Sequence, residues 1–244
     1  MTVAVIAQAR MGSSRLPGKT LAPLGSATVL DWVIARSQLA DLVDEVLVAT
    51  SDDPIDDPIE HRCRALGVTC VRGDSIDVLD RYRVALTETD ADEIVRVTAD
   101  CPLLDPSILN VAIETRRKYD LDYVSTSLDG RYPRGFDVEV LRRSVLETSA
   151  KEAADPDERE HVTLFVYRRP DRFACAPVEC PSWARHPALR ITIDEERDLE
   201  VVRSIVDGLD KDLTALRGEE ILSFLIAHPD VVAINRGVAH RHVS

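Results

Sequence analysis

Residues 8 to 19 read Gln8-Ala9-Arg10-Met11-Gly12-Ser13-Ser14-Arg15-Leu16-Pro17-Gly18-Lys19, a stretch that joins three cations to glycines and serines. These types suit a phosphate chain. Glycines let the backbone approach an anion, serine hydroxyls donate to phosphoryl oxygens, and Arg and Lys supply charge-assisted bonds. A Walker A loop needs four residues between its glycines, whereas five separate Gly12 from Gly18, although Lys19-Thr20 completes the ending. Pro17 also sits badly in a tight anion nest, and a plain basic turn is the bland alternative.

Two acids stand in comparable places. Asp100 follows the β-branched run Glu93 to Thr98 and precedes Pro102, so its carboxylate should project from the C-terminal edge of a sheet, where open α/β folds bind ligands. Asp194 ends the alternating run Leu189 to Ile193. Carboxylates meeting there would suit Mg²⁺, which takes oxygen ligands and bridges them to phosphates. The bland readings are a turn or cap role for Asp100 and a cap role for Asp194, which opens the run Asp194-Glu195-Glu196-Arg197-Asp198. Cysteine and histidine form no metal-ligand cluster, and Cys101 reads as a small buried filler.

The elements that must carry these residues alternate. Short strands are expected at Val3 to Gln8, Glu45 to Thr50, Thr69 to Arg72 and Glu93 to Thr98. Helices at Val29 to Leu39, Ile55 to Leu66, Ile76 to Glu88 and Pro106 to Tyr119 place apolar residues at three and four spacing. This predicts an α/β fold, a mostly parallel sheet with helices on both faces. After residue 120 the regularity breaks. Tyr123 to Ser127 and Asp137 to Leu141 read as an antiparallel excursion around a turn-rich Asp129 to Gly135. Beyond it come a helix at Arg143 to Ala154, a charged segment leading into another helix, strands at Phe173 to Val178 and Leu189 to Ile193, and closing helices at Glu196 to Gly208 and Gly218 to His228. One domain over 1–235 is expected, with a loose tail at 236–244 whose His240 and His242 carry no assigned chemistry.

Composition narrows the partners. The 244 residues carry a formal net charge of -13, which repels nucleic-acid polymers and anionic membrane surfaces. The exception is local, because Arg10, Arg15 and Lys19 all precede the first acid, Asp31. No apolar run approaches the roughly eighteen residues of a membrane helix, no leader is visible, and five cysteines without a CxxC pair favour reduced thiols and a cytoplasmic location. The excess of arginine over lysine fits either a GC-rich or a salt-adapted genome.

The run Ile6 to Lys19 resembles the signature of the SpsF-type cytidylyltransferases (the spore coat polysaccharide biosynthesis protein F family), relatives of the CMP-KDO and CMP-sialate synthetases. The likeness continues through Val48-Ala49-Thr50-Ser51, Asp56-Asp57-Pro58-Ile59, Arg72-Gly73, Asp77 to Tyr82, and Arg96-Val97-Thr98-Ala99-Asp100-Cys101-Pro102-Leu103. It extends to Tyr132-Pro133, Gly135, Asp137-Val138-Glu139-Val140, Glu158 to Thr163, Arg190 and Thr192-Ile193-Asp194.

The resemblance implies a Rossmann-like, GT-A-type nucleotidyltransferase fold and a Mg²⁺-dependent transfer of CMP from CTP to a small anionic acceptor, an acidic sugar above all. It assigns the nucleotide to Gln8, Ala9, Arg10, Gly12, Ser13, Ser14, Arg15, Lys19, Arg72 and Arg96. Arg10, Lys19 and Asp100 then take the catalytic charge work, and Asp100 with Asp194 takes the metal. The acceptor falls to Arg134, Asp137, Glu139, Arg159, Glu160 and His161. His161 invites a general-base role, since imidazole titrates near neutrality, beside a purely structural reading. Arg81 reads equally well as a salt-bridge partner. A homodimer is expected. A nucleotide-sugar glycosyltransferase on the same fold would show Asp-x-Asp, and Thr98-Ala99-Asp100 lacks the first Asp; a non-catalytic binding module would not need Asp100 and Lys19 together.

Overall fold

The computed structural model describes residues 1–239; the expected tail therefore lies partly outside the described residues, and His240 and His242 lie wholly outside them. Nine strands are present among the described residues. They are β1 (Val3–Gln8), β2 (Pro23–Leu24), β3 (Ala27–Thr28), β4 (Glu45–Ser51), β5 (Thr69–Gly73), β6 (Glu93–Thr98), β7 (Tyr123–Ser125), β8 (Glu139–Arg142) and β9 (Cys175–Pro177). Seven form one sheet in the order β5-β4-β1-β6-β8-β7-β9, and β2 and β3 make a small separate hairpin. β5, β4, β1 and β6 are mutually parallel, β8 runs against both β6 and β7, and β9 is parallel to β7. The expected mostly parallel sheet with an antiparallel excursion is the architecture observed.

Alternation along the strands builds two cores. Val3, Val5 and Ala7 of β1, Val46 and Val48 of β4, and Val95 and Val97 of β6 face one side, where they meet α1 (Val29–Gln38), α4 (Pro106–Lys118), α8 (Glu196–Leu209) and α9 (Gly218–Ala227). Ala4, Ile6, Leu47, Ala49 and Ile94 face the other side against α3 (Val78–Ala85), α5 (Arg143–Glu152) and α7 (Leu164–Tyr167). This is the period-two signature of strands covered on both faces. α2 (Asp57–Leu66) packs on β4 and β5, α6 (Pro156–Glu160) lies beside α3, and α10 (Pro229–Ile234) closes against α8.

Two sequence expectations need correction. Leu189 to Ile193 is not a strand: among the described residues its one pairing is a single parallel bridge between Arg190 and Arg134. Its backbone is held instead by Arg134 N–H to Leu189 O (3.2 Å), Ile191 N–H to Arg134 O (2.7 Å) and Ile193 N–H to Asp100 O (2.8 Å). A third closing helix, α10, also follows the two expected ones. Pro229 at its start hides it, since proline reads as a stop where it here serves as a first-turn residue.

Candidate active site

The functional side chains gather at the C-terminal edge of β1 and β6, beside the point where β8 reverses the sheet direction. The loop after β1 folds on itself. The N–H groups of Ser13 and Gly18 both donate to Met11 O (2.9 Å each), and Gly18 takes a left-handed φ of 78° directly before a 3₁₀ turn at Lys19–Leu21. That turn swings Lys19 back across the sheet edge. The loop is pinned from outside: Met11 N–H donates to Asp56 Oδ1 (2.6 Å), and Thr20 Oγ1 donates to Arg10 O (2.7 Å).

Lys19 connects the two acids. Its ammonium, on a residue only 9% exposed, donates to Asp100 Oδ2 (2.9 Å), Asp194 Oδ1 (3.3 Å) and Ile193 O (2.5 Å). Burial pulls the Lys19 pKa down, but the two carboxylates outweigh it and leave it raised. Burial likewise works against ionised Asp100, yet Lys19 and a hydrogen bond from Thr98 Oγ1 (2.5 Å) hold its pKa below the usual range. Asp194 loses water too, but Lys19, Arg190 (2.6 Å) and Arg15 (3.0 Å) bring its pKa down to about 2.

Asp194 reaches Asp100 without a strand because Asp198 fixes its backbone. Fully buried, Asp198 accepts from Asp194 N (2.9 Å), Glu195 N (3.0 Å), Arg190 Nε (2.8 Å) and Nη2 (3.1 Å), and Asn235 Nδ2 (2.9 Å). Glu195, not Asp194, is the N-cap of α8, in a capping box with Asp198. Asp194 is thereby released from the cap role and faces the cleft. Sequence reading missed Asp198; its spacing three residues after Glu195 is the signal that marks it.

The cleft has two lobes. One, of about 230 Å³, is lined by Gln8, Ala9, Arg10, Ser13, Ser14, Arg15, Lys19, Asp100, Glu160, His161 and Asp194 among others. The second, of about 480 Å³, is lined by Arg96, Arg134, Asp137, Glu139 and the hydroxyl-bearing residues Tyr123, Ser125, Ser127, Thr163, Tyr167 and Thr192 among others. Arg15, Thr98, Asp100, His161 and Asp194 line both, so they mark the junction. Within the larger lobe Arg134 pairs with Asp137 (2.8 Å), and Arg96 lies across from Glu139 in the β6–β8 ladder, pairing with it at 2.8 Å and donating to Gln8 Oε1 at 3.1 Å. Val162, beside His161, has a positive φ of 36°, an unfavourable backbone for a β-branched residue held between two cleft-lining neighbours.

Several expected site residues stand elsewhere. Arg96 lines the larger lobe and not the loop's lobe. Gly12 belongs to the loop but lines neither lobe, nor does Arg72, whose guanidinium is taken by Ser51 O, Asp53 O, Asp57 and Glu60. Arg159 ties Asp77, the N-cap of α3, to Ala150 O and also lines neither lobe. Buried Arg81 donates to the Asp74 and Ser75 carbonyls, which is a loop-bracing role. Tyr123, Ser125 and Tyr167 were given no site role by the sequence reading, because lone hydroxyls carry no spacing signal.

The chain is similar to known proteins along most of its length. Residues 4–229 match the cytidylyltransferase family profile. The spore coat polysaccharide biosynthesis protein SpsF of Bacillus subtilis is 34% identical over 232 residues, 92% of this chain and 94% of that one. An 8-amino-3,8-dideoxy-manno-octulosonate cytidylyltransferase of Shewanella amazonensis is 32% identical over 131 residues, 52% of this chain and 53% of its own. The solved structure of a cytidylyltransferase from Leptospira borgpetersenii superposes with a TM-score of 0.88 at 28% identity, covering 99% of this chain and 100% of that one. The shared fold and the match along nearly the whole chain agree, and the chain belongs to the cytidylyltransferase family.

Proposed function

We propose that the protein transfers CMP from CTP to an acidic sugar or related anionic acceptor with release of pyrophosphate, in surface polysaccharide or glycan precursor synthesis. The observation that carries the reading is the junction itself. A cationic loop, a pair of acids and an imidazole meet where a lobe lined by Arg10, Ser13, Ser14 and Lys19 opens into a lobe lined by hydroxyl-bearing residues and two Arg–carboxylate pairs. A donor's α-phosphorus in the first lobe and an acceptor oxygen in the second would then face one another, and holding them so lowers the barrier mainly through positioning and charge neutralisation.

Arg10, Arg15 and Lys19 grip the triphosphate and offset charge on the departing pyrophosphate, while Ser13 and Ser14 donate to its oxygens. The acceptor oxygen forms a bond to the α-phosphorus in line as the bond from phosphorus to the bridging oxygen of pyrophosphate breaks, pyrophosphate leaves with that electron pair, and the hydroxyl proton passes through His161 to solvent. Arg134 and Glu139 hold the acceptor, Asp137 orients Arg134, and His161 hydrogen-bonds the attacking hydroxyl. The donor set fits Mg²⁺: two carboxylates from separate segments already converge on one cationic centre, the Lys19 ammonium, and offer oxygen ligands only. Asp100 and Asp194 would hold the ion, which supplies charge stabilisation at the phosphates.

The five free thiols support a reducing, cytoplasmic setting, and the family resemblance supports a homodimer, which light scattering checks. Pyrophosphate release from CTP, measured over a panel of acidic sugars, tests the reaction. Turnover with UTP or GTP but none with CTP refutes the donor assignment. Near wild-type turnover of Asp100→Ala at saturating Mg²⁺ refutes the metal assignment.

A further inference from the structure

The Lys19 ammonium occupies the ground that a divalent cation would share. All four carboxylate oxygens of the acid pair already accept from protein donors: Asp100 Oδ2 from Lys19, Asp100 Oδ1 from Thr98, Asp194 Oδ1 from Lys19 and Arg15, and Asp194 Oδ2 from Arg190. Ile193 O, at 2.5 Å, holds the ammonium in place. Among the described residues no third His, Cys, Asp or Glu joins the pair to make a closed metal site. A divalent ion entering alone therefore meets two ligands that a fixed positive charge already neutralises.

Resting on the cytidylyl-transfer reading, we infer that Lys19 is a resident counter-ion that keeps the Asp100–Asp194 pair closed to divalent metal until a triphosphate draws it away. The triphosphate offers Lys19 and Arg15 stronger partners and at the same time brings the oxygens that complete the ion's shell. Metal and nucleotide then enter as a coupled pair, and the coupling is reciprocal: each raises the affinity for the other by the same factor. Lys19 thus has two opposed effects, favouring the nucleotide and disfavouring the lone metal.

The sign of one substitution separates this from a simple phosphate-holding lysine. Mn²⁺ binding to the nucleotide-free protein is read from the loss of the free-ion EPR signal, for wild type, Lys19→Met and Lys19→Gln, with far-UV circular dichroism to confirm folding. The neutral variants are expected to bind Mn²⁺ about tenfold or more tightly than wild type, and Asp100→Asn added to Lys19→Met removes the gain. In calorimetry of CTP binding, the factor by which Mn²⁺ tightens CTP should be smaller in Lys19→Met than in wild type. If folded Lys19→Met or Lys19→Gln binds nucleotide-free Mn²⁺ no better than wild type, the inference is overturned. Failure of wild type to bind CTP would instead overturn the cytidylyl-transfer reading, since the nucleotide-free comparison does not depend on it.

Discussion

Replacing Asp198 by Asn changes one atom and should cost the protein both stability and turnover. In the native arrangement Oδ1 of Asp198 accepts from Arg190 Nε and Asn235 Nδ2, and Oδ2 accepts from Arg190 Nη2 and the backbone N–H groups of Asp194 and Glu195. An amide has one oxygen. Whichever way it turns, its NH₂ faces at least two donors, and Arg190 loses the fully buried one of its two carboxylate partners, keeping only Asp194. Breaking a buried charge pair costs about 3–5 kcal/mol, and each buried donor left without a partner about 1–3 kcal/mol. A loss of about 3–5 kcal/mol is therefore expected in urea unfolding, with a fall of roughly 6–20 °C in Tm for a chain of this size. Turnover should drop as well, because Asp194 is aimed at Lys19 by the N–H bond that Asp198 accepts. Misplacement by about 1 Å is enough to lose on the order of a hundredfold in kcat. Asp207→Asn, an exposed position on the same helix, serves as control and should stay within about 0.5 kcal/mol. If Asp198→Asn lost less than about 1 kcal/mol and kept its kcat, the claim that Asp198 positions Asp194 would be wrong.

Other expectations follow from the same contacts. Asp31 sits in a capping box with Thr28 and pairs with Arg62 at 2.7 Å; burial pushes its pKa up, but Arg62 and the Thr28 bonds prevail and lower it. Because the folded pKa lies below the unfolded one, the stabilisation is fully present above the usual carboxylate range and is lost as pH falls toward the folded value. Asp31→Asn should thus be less stable than wild type by about 1–2 kcal/mol at pH 7, with the gap closing in acid denaturation series. At Gly135, φ is 112° and an added Cβ would lie 2.6 Å from Ile191 Cγ1 and 2.7 Å from its carbonyl carbon; Gly135→Ala should cost about 2–5 kcal/mol in thermal or chemical unfolding and disturb the Asp194 segment. Arg72→Gln should leave the KM for CTP within about threefold of wild type in steady-state assays, since its guanidinium is committed to β4 and α2.

The central strands were legible because β1, β4 and β6 are apolar on both faces, and their ends are marked by Gln8, Ser51 and Thr98. The same logic misled at 189–193. Ile191 and Ile193 are fully buried and alternate as strand residues do, yet alternation reports which side faces the core and not whether the backbone has a ladder partner. The placement of the loop cations and of Asp100 at one sheet edge was readable from type and position, since residues after β1 and after β6 must lie together there in a parallel fold, whereas Asp194 was read as the end of a strand that does not form. Arg72 and Arg159 stand away from both lobes, because a guanidinium reaches far enough that its partners, here Asp57 and Asp77, are settled by tertiary packing. Asp198 was hidden for the reverse reason, as one acid in an acid-rich run.

The reversal at β8 has a consequence for how such a chain can diversify. Ser127, Leu128, Arg134, Asp137 and Glu139 of the larger lobe all lie on the single stretch that leaves β7 and enters β8, whereas the loop of the smaller lobe and Asp100 hang from β1 and β6. One contiguous stretch therefore supplies much of the larger lobe, the one proposed to take the acceptor, and it is separate along the chain from the loop after β1 that lines the smaller lobe. That stretch is seated on the rest at several points, the bridge from Arg134 to Arg190, Gly135 against Ile191, Tyr132 Oη donating to Glu179 O and the Phe136 ring edge-on to Trp183, so a transplanted version has to keep all of these seams to leave the smaller lobe in register.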